Sequence, residues 1–104
     1  MTPSKFGNVR TTVDNIVFDS KAEARRYSEL MLLFRAGVIR NLELQPEFPF
    51  VLNGKKLFTY RADFAYFEGE KRIVEDVKGV KTPVYRLKKK LIEAVFNVHI
   101  TEVA

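Results

Sequence analysis

Apolar and polar positions change period several times along the chain, and each change predicts an element. Val9 to Val13 and Ile16 to Phe18 flank Asp14-Asn15, two residues that tolerate positive φ, which predicts a short hairpin. Ser20 then reads as a helix N-cap and Gly37 as the residue just past the end, predicting a helix from about Lys21 to Ala36. Its apolar stripe is Ala24, Tyr27, Leu30, Met31 and Phe34, at helical spacing. Val38 to Leu44 alternates loosely and stops at Gln45-Pro46, where a proline closes a strand or puts it at an edge.

Phe48 to Leu52, Asn53-Gly54 and the residues from Lys55 onward give the clearest hairpin signal. The second arm is expected to continue as Leu57 to Phe67, to turn at Glu68-Gly69-Glu70, and to return as Arg72 to Lys78. Gly79 to Pro83 reads as a loop, Val84 to about Phe96 as a second helix with Val84, Leu87, Leu91 and Val95 facing the core, and Val98 to Val103 as a last strand. Hairpin, helix, mainly antiparallel strands, helix, strand predicts an α+β or three-layered α/β/α domain, with both helices on a mixed sheet.

Composition narrows the function classes. A chain of 104 residues with 46% hydrophobic content, nine Phe and four Tyr is one domain with material for a core. The absence of Cys excludes disulfides and thiolate metal sites, and a single His excludes a His-rich zinc site within one chain. Met1 to Gly7 lacks the order of a secretion signal and no apolar run is long enough to span a bilayer, so a cytoplasmic location is expected and no membrane partner. Eighteen Lys and Arg against thirteen Asp and Glu, a net +5, favour a polyanionic partner.

The candidate chemistry lies in two strands. Residues two apart share a sheet face, so Asp76 and Lys78 point one way from Ile73-Val74-Glu75-Asp76-Val77-Lys78, and Glu75 and Val77 the other. A tight meander around Gly69 sets Asp63 opposite Asp76 or Glu75. Two carboxylates and an ammonium then meet inside apolar segments, where burial and mutual repulsion penalise them unless a cation offsets the charge. Mg²⁺ suits one or two carboxylates plus water and phosphate oxygen.

Asp63 followed by Asp76-Val77-Lys78 resembles the signature of the PD-(D/E)XK nuclease superfamily, with Ala62 where that signature has proline. A longer set of blocks, Phe18 to Tyr27, Leu44-Gln45-Pro46, Tyr60 to Phe64 and Val74 to Gly79, looks like a phage- and prophage-borne, endonuclease-I-like, Holliday junction resolvase-like family. The resemblance implies a restriction-endonuclease-like fold and Mg²⁺-dependent hydrolysis of DNA phosphodiester bonds, with Mn²⁺ as a substitute. It also implies a homodimer acting on branched DNA in phage recombination or replication, inside a bacterial host cell. Asp63 and Asp76 match the metal-binding acids, Lys78 the catalytic lysine, Glu23 an added helix glutamate, and the Val77 carbonyl a further ligand. Gln45 matches a glutamine that recurs beside such sites.

Plainer roles compete for the same residues. Ser20-Lys21-Ala22-Glu23 is also a capping box, in which Glu23 bonds back to the helix start. Glu75 is expected to be secondary, at the surface or behind the site, on the face opposite Lys78. Lys81, Arg86, Lys88, Lys89 and Lys90 form either a solvated helix face or, near the helix start, a phosphate-holding patch; Arg25 and Arg26 are read the same way, and DNA contact is the preferred reading. His99 is assigned no chemistry, and the aromatic residues are read as core, with Phe58 and Tyr60 left open. The alternative function is a catalytically silent DNA-binding module with the same fold; a phage protein–protein adaptor is the third.

Overall fold

The computed structural model describes residues 9–104, so the reading of Met1 to Gly7 lies outside the described residues. The chain separates into two units, residues 1–38 and 39–104.

In the first unit, β1 (Thr11–Val13) and β2 (Ile16–Phe18) pair antiparallel, with Thr11 opposite Phe18 and Val13 opposite Ile16. Asp14 and Asn15 turn the chain at φ of 53° and 64°, as a two-residue hairpin turn of the primed kind requires. Helix α1 (Lys21–Arg35) begins where Ser20 Oγ accepts the Glu23 N–H at 3.1 Å, and ends with Ala36 before Gly37 at φ 77°. Ala24, Tyr27 and Leu30 are buried. The Tyr27 ring lies 5.0 Å from Phe18, and its hydroxyl donates to Asp14 at 3.0 Å, tying helix to turn. Phe34, expected on the inward stripe, is 43% exposed. Strands of three residues span about 10 Å against about 22 Å for a helix of fifteen, too short to cover its last turn.

The second unit contains β3 (Arg40–Leu44), β4 (Glu47–Leu52), β5 (Lys55–Arg61), β6 (Phe64–Glu68), β7 (Lys71–Val77), α2 (Pro83–Phe96) and β8 (Ile100–Val103). β4 and β5 form the Asn53-Gly54 hairpin, both turn residues having positive φ. The expected single arm from Leu57 to Phe67 is in fact two strands. The ribbon bends where Gln45-Pro46 faces Ala62-Asp63: Gln45 N–H donates to the Asp63 carbonyl at 2.9 Å and Ala62 N–H to the Pro46 carbonyl at 3.1 Å. Pro46 has no N–H for the ladder and Gln45 sits at φ 52°, so a regular strand cannot pass through them. β3 starts at Arg40 rather than Val38, and Asn41, at φ 55°, lies within a register shift between Arg40 and Glu43.

β3, β6, β7 and β8 make a four-stranded mixed sheet in that order. β6 and β7 pair in the expected register, Phe64 opposite Glu75 and Glu68 opposite Lys71. β8 returns parallel to β7 after the α2 crossover, with Val74 opposite Ile100 and Asp76 opposite Glu102. Thr82 caps α2 by accepting the Tyr85 N–H at 3.1 Å, with Pro83 in its first turn, and Asn97 closes it at φ 52°. Phe48, Phe50, Tyr60, Ala62, Ala65, Val74, Ile92 and Ile100 form the core of this unit, so α2 and the β4–β5 hairpin cover one face of the sheet.

The phase of α2 corrects the expected one. Val84, Leu87 and Val95 are more than half exposed, and of the expected stripe only Leu91 packs on the core. The inward residues are Tyr85 and Ile92, one position on, while Phe96 at the helix end stays 37% exposed. Phe96 meets Phe48 edge-on at 5.2 Å and Tyr85 lies 6.4 Å from Tyr60. Aromatic rings remove more apolar area from water than valines do, which favours this rotation. The described chain is an α+β protein of two helices and eight strands, and no described helix is long and apolar enough to cross a membrane.

Candidate active site

Asp76 is the penultimate residue of β7, two residues after Val74 and so on the same core face. It is 1% exposed. The Tyr60 hydroxyl donates to its Oδ2, while Oδ1 has no hydrogen-bond partner among the described residues. Burial pushes the carboxyl up to about 6; the Lys78 ammonium and the Asp63 backbone amide hold it back, and Glu102 adds to the rise. An orphaned oxygen this deep marks a place where a partner belongs.

Asp63 lies half-buried in the two-residue break between β5 and β6. Its N–H donates to the Glu75 carbonyl at 3.0 Å and its Oδ2 accepts the Val77 N–H at 2.7 Å, so it grips β7 on both sides of Asp76. Lys78 follows the end of β7, where its N–H donates to the Val103 carbonyl at 2.9 Å. Its Nζ stands 4.7 Å from the centre of the Tyr85 ring. The three residues singled out by sequence, Asp63, Asp76 and Lys78, are thus brought together at one end of the β6–β7 pair.

Three further groups complete this end of the sheet: Tyr60, which the sequence reading left open, and Tyr85 and Glu102, which escaped it. Tyr85 donates its hydroxyl to Glu102 Oε2 at 2.9 Å, and burial raises the phenol far above its ordinary range. Glu102 lies beside Asp76 across the parallel pair and ion-pairs with Lys81 at 3.2 Å and Lys89 at 3.5 Å. The Tyr85 hydrogen bond first, then those lysines, lower its pKa against the effect of burial. The signal available was parity: Glu102 keeps step with the core residue Ile100, and Tyr85 with Ile92 one helical repeat later.

Glu75 lies on the face opposite Asp76, as parity required, and of its two expected places the surface one is corrected: it is 2% exposed and accepts a hydrogen bond from the Tyr66 hydroxyl. Phe64 opposite it is equally buried, so both faces of this strand are covered. Gln45 is exposed, and its backbone lies directly across from Asp63. Val77 contributes its N–H to Asp63. Glu23, in the first unit, serves the start of α1: its Oε2 accepts the Asp19 N–H at 3.0 Å, a reciprocal cap reaching one residue further than the standard box.

The basic residues divide. Lys81, Arg86, Lys89 and Lys90 line one open cleft of about 420 Å³ with Glu93 and Glu102. Lys88 is directed elsewhere, with Nζ 5.2 Å from the Phe58 ring, because it falls on the inward-turned side of α2. In the first unit Arg25 is exposed and Arg26 pairs with Glu29 at 3.1 Å.

The donor set bears on which metal could fit. No group of three or more His, Cys, Asp or Glu is placed to hold an ion among the described residues. Asp63 and Asp76 offer oxygen donors alone, the type that suits a hard cation such as Mg²⁺ and not a closed zinc site, and Asp76 Oδ1 is the oxygen left unsatisfied. Such a desolvated carboxylate next to a second acid and a lysine defines the class: an α+β protein with a polar centre built into one end of its sheet. The chain belongs to the DUF1064 family, described as a protein of unknown function, whose model matches residues 3–103. No curated protein and no solved structure gives a match.

Proposed function

We propose that this protein is a Mg²⁺-dependent endodeoxyribonuclease of the restriction-endonuclease-like, α/β/α kind, hydrolysing phosphodiester bonds of DNA. The observation that carries the reading is the buried Asp76 carboxylate, whose Oδ1 lacks a partner while Asp63 and Lys78 converge on the same strand end. Asp76 and Asp63, with the Val77 carbonyl, would hold the ion. When bound, the ion makes water a nucleophile near neutral pH and offsets charge on the phosphate. Lys78, aligned by the Tyr85 ring, supplies a positive charge for the same phosphate. Lys81, Arg86, Lys89 and Lys90 would hold flanking phosphates. Glu23 enters the proposal through the family resemblance alone.

A homodimer acting on branched DNA, in a phage or prophage setting within a bacterial cytoplasm, enters the proposal through the family resemblance; two centres would serve the two strands of a duplex. The test is incubation of purified protein with four-way-junction, flapped and linear DNA, with Mg²⁺ or Mn²⁺ against EDTA. Metal-dependent cleavage lost in Asp76→Ala and Lys78→Ala is expected. No cleavage of any substrate, or cleavage indifferent to both variants, would sink the proposal.

The second reading is a silent DNA-binding module. It is favoured by Tyr60, which gives Asp76 one protein partner of its own, and by the cleft of cations. It predicts salt-sensitive DNA binding that ignores divalent metal.

A further inference from the structure

We propose that Tyr60 is a positioning residue for Asp76, and that by occupying Oδ2 it presents Oδ1 alone to a divalent cation and so favours Mg²⁺ over Ca²⁺. The inference rests on the metal-dependent reading above and adds to it a residue and a selectivity.

The hydroxyl of Tyr60 reaches Asp76 from β5, and the residue is only 6% exposed. Neighbouring rings fix its place: Phe48 at 6.5 Å and Tyr85 at 6.4 Å. Tyr85 is the other hydroxyl near this carboxylate, and it is engaged by Glu102. Tyr60 therefore has Asp76 as its acceptor, and Asp76 has one oxygen held and one unpartnered, both within a 1% exposed side chain.

A carboxylate free to rotate can offer a cation either one oxygen or two. Ca²⁺ accepts both modes at variable coordination number, whereas Mg²⁺ demands near-octahedral geometry with single oxygens and retained waters. A fixed donor on Oδ2 removes the two-oxygen mode. Groups that orient a metal ligand from behind typically change metal affinity 10–100-fold when removed.

The experiment is calorimetric titration of Mg²⁺ and of Ca²⁺ into the full chain and into Tyr60→Phe, Asp76→Ala and Phe50→Leu, with thermal melting of each. Tyr60→Phe is expected to weaken Mg²⁺ about tenfold while Ca²⁺ holds or tightens. Asp76→Ala should abolish both, and Phe50→Leu, which disturbs the same core at the Phe50–Phe58 stack rather than at a ring beside Tyr60, should leave the Mg²⁺-to-Ca²⁺ ratio unchanged. If the native chain binds Mg²⁺ and Tyr60→Phe binds it equally, or if Phe50→Leu shifts the ratio as much, positioning by Tyr60 is overturned and the nuclease reading stands. If the native chain binds no divalent cation, both fall. Should Tyr60→Phe fail to fold, the hydroxyl proton of Tyr60 in the native chain gives the answer by NMR: it persists and shifts on adding Mg²⁺ if Oδ2 stays with Tyr60, and its loss to solvent exchange would overturn the proposal.

Discussion

The Gln45 backbone N–H donates to the Asp63 backbone carbonyl at 2.9 Å, and Gln45 holds that place by adopting φ 52°. A non-glycine residue in this region costs about 1–2 kcal/mol, and the bend it makes carries Asp63 out of the ribbon and onto β7. The backbone role and the side-chain role separate by substitution. Gln45→Gly should stay within about 1 kcal/mol of the native stability, because relief of the strained φ offsets the added chain entropy. Gln45→Val should be less stable than Gln45→Gly by roughly 1–3 kcal/mol. Urea unfolding of the three proteins measures this, and equal stabilities would remove the bend's strain from the account. Cleavage lost in a stable Gln45→Gly would assign chemistry to the side chain.

Asp76 makes stability depend on pH with a defined sign. Its carboxyl is raised from 3.8 to about 6, so the folded state prefers the protonated form. The stability from that preference is complete below about pH 3.8 and is lost as pH rises through 6. Without divalent cation, Asp76→Asn should therefore be more stable than the native protein at pH 8, by up to about 3 kcal/mol, with the gap closing toward pH 4. Asn retains an acceptor for Tyr60, so that hydrogen bond is not the variable. A difference between the two proteins that stays flat from pH 4 to 8 would contradict the buried-anion description. Added Mg²⁺ should narrow the gap at pH 8 by stabilising the native chain alone.

The same carboxylate marks how far the sequence could be read. Asp63, Asp76 and Lys78 were legible because period-two alternation and one tight turn at Gly69 fix both parity and register locally. The caps at Ser20 and the turns at Asp14-Asn15 and Asn53-Gly54 were legible for the same reason, each depending on residues within a few positions. Glu102 was not, since its place beside Asp76 depends on where a parallel strand returns after a whole helix. Nor was the burial of Glu75: alternation separates two faces but does not say that both are covered. Tyr60 and Tyr85 were hidden by chemistry as well as distance, since a tyrosine in an apolar segment reads as core and its hydroxyl's partner is a tertiary fact.

The rotation of α2 gives a mutational contrast. Ile92 is fully buried in the core, whereas Leu87, on the expected stripe, is 58% exposed. Ile92→Ala should lose about 2–5 kcal/mol, through lost burial and the cavity left behind. Leu87→Ala should change stability by no more than about 0.5 kcal/mol, alanine being the better helix former. Chemical denaturation at neutral pH distinguishes these, and comparable losses at the two positions would favour the phase that places Val84, Leu87, Leu91 and Val95 inward.

Glu102 sets the charge of the cleft beside the candidate site, and its removal is expected to tighten DNA binding. It engages Lys81, Lys89 and the Tyr85 hydroxyl, so two of the four cleft cations face a resident carboxylate. Glu102→Gln keeps the shape and an acceptor for Tyr85 while freeing both lysines for phosphate. Ion pairs this exposed contribute about 0–1 kcal/mol, so the fold should tolerate the change. If DNA phosphates enter the cleft, the logarithm of affinity against the logarithm of salt should steepen by about one to two in slope, one phosphate contact per freed lysine. Asp76, relieved of a repelling neighbour, should also titrate lower than in the native chain. Fluorescence anisotropy with a labelled duplex across a salt series measures the slope. A slope and affinity identical to the native protein would mean that phosphates bind elsewhere, and that Glu102 serves only to hold Tyr85 against Lys78.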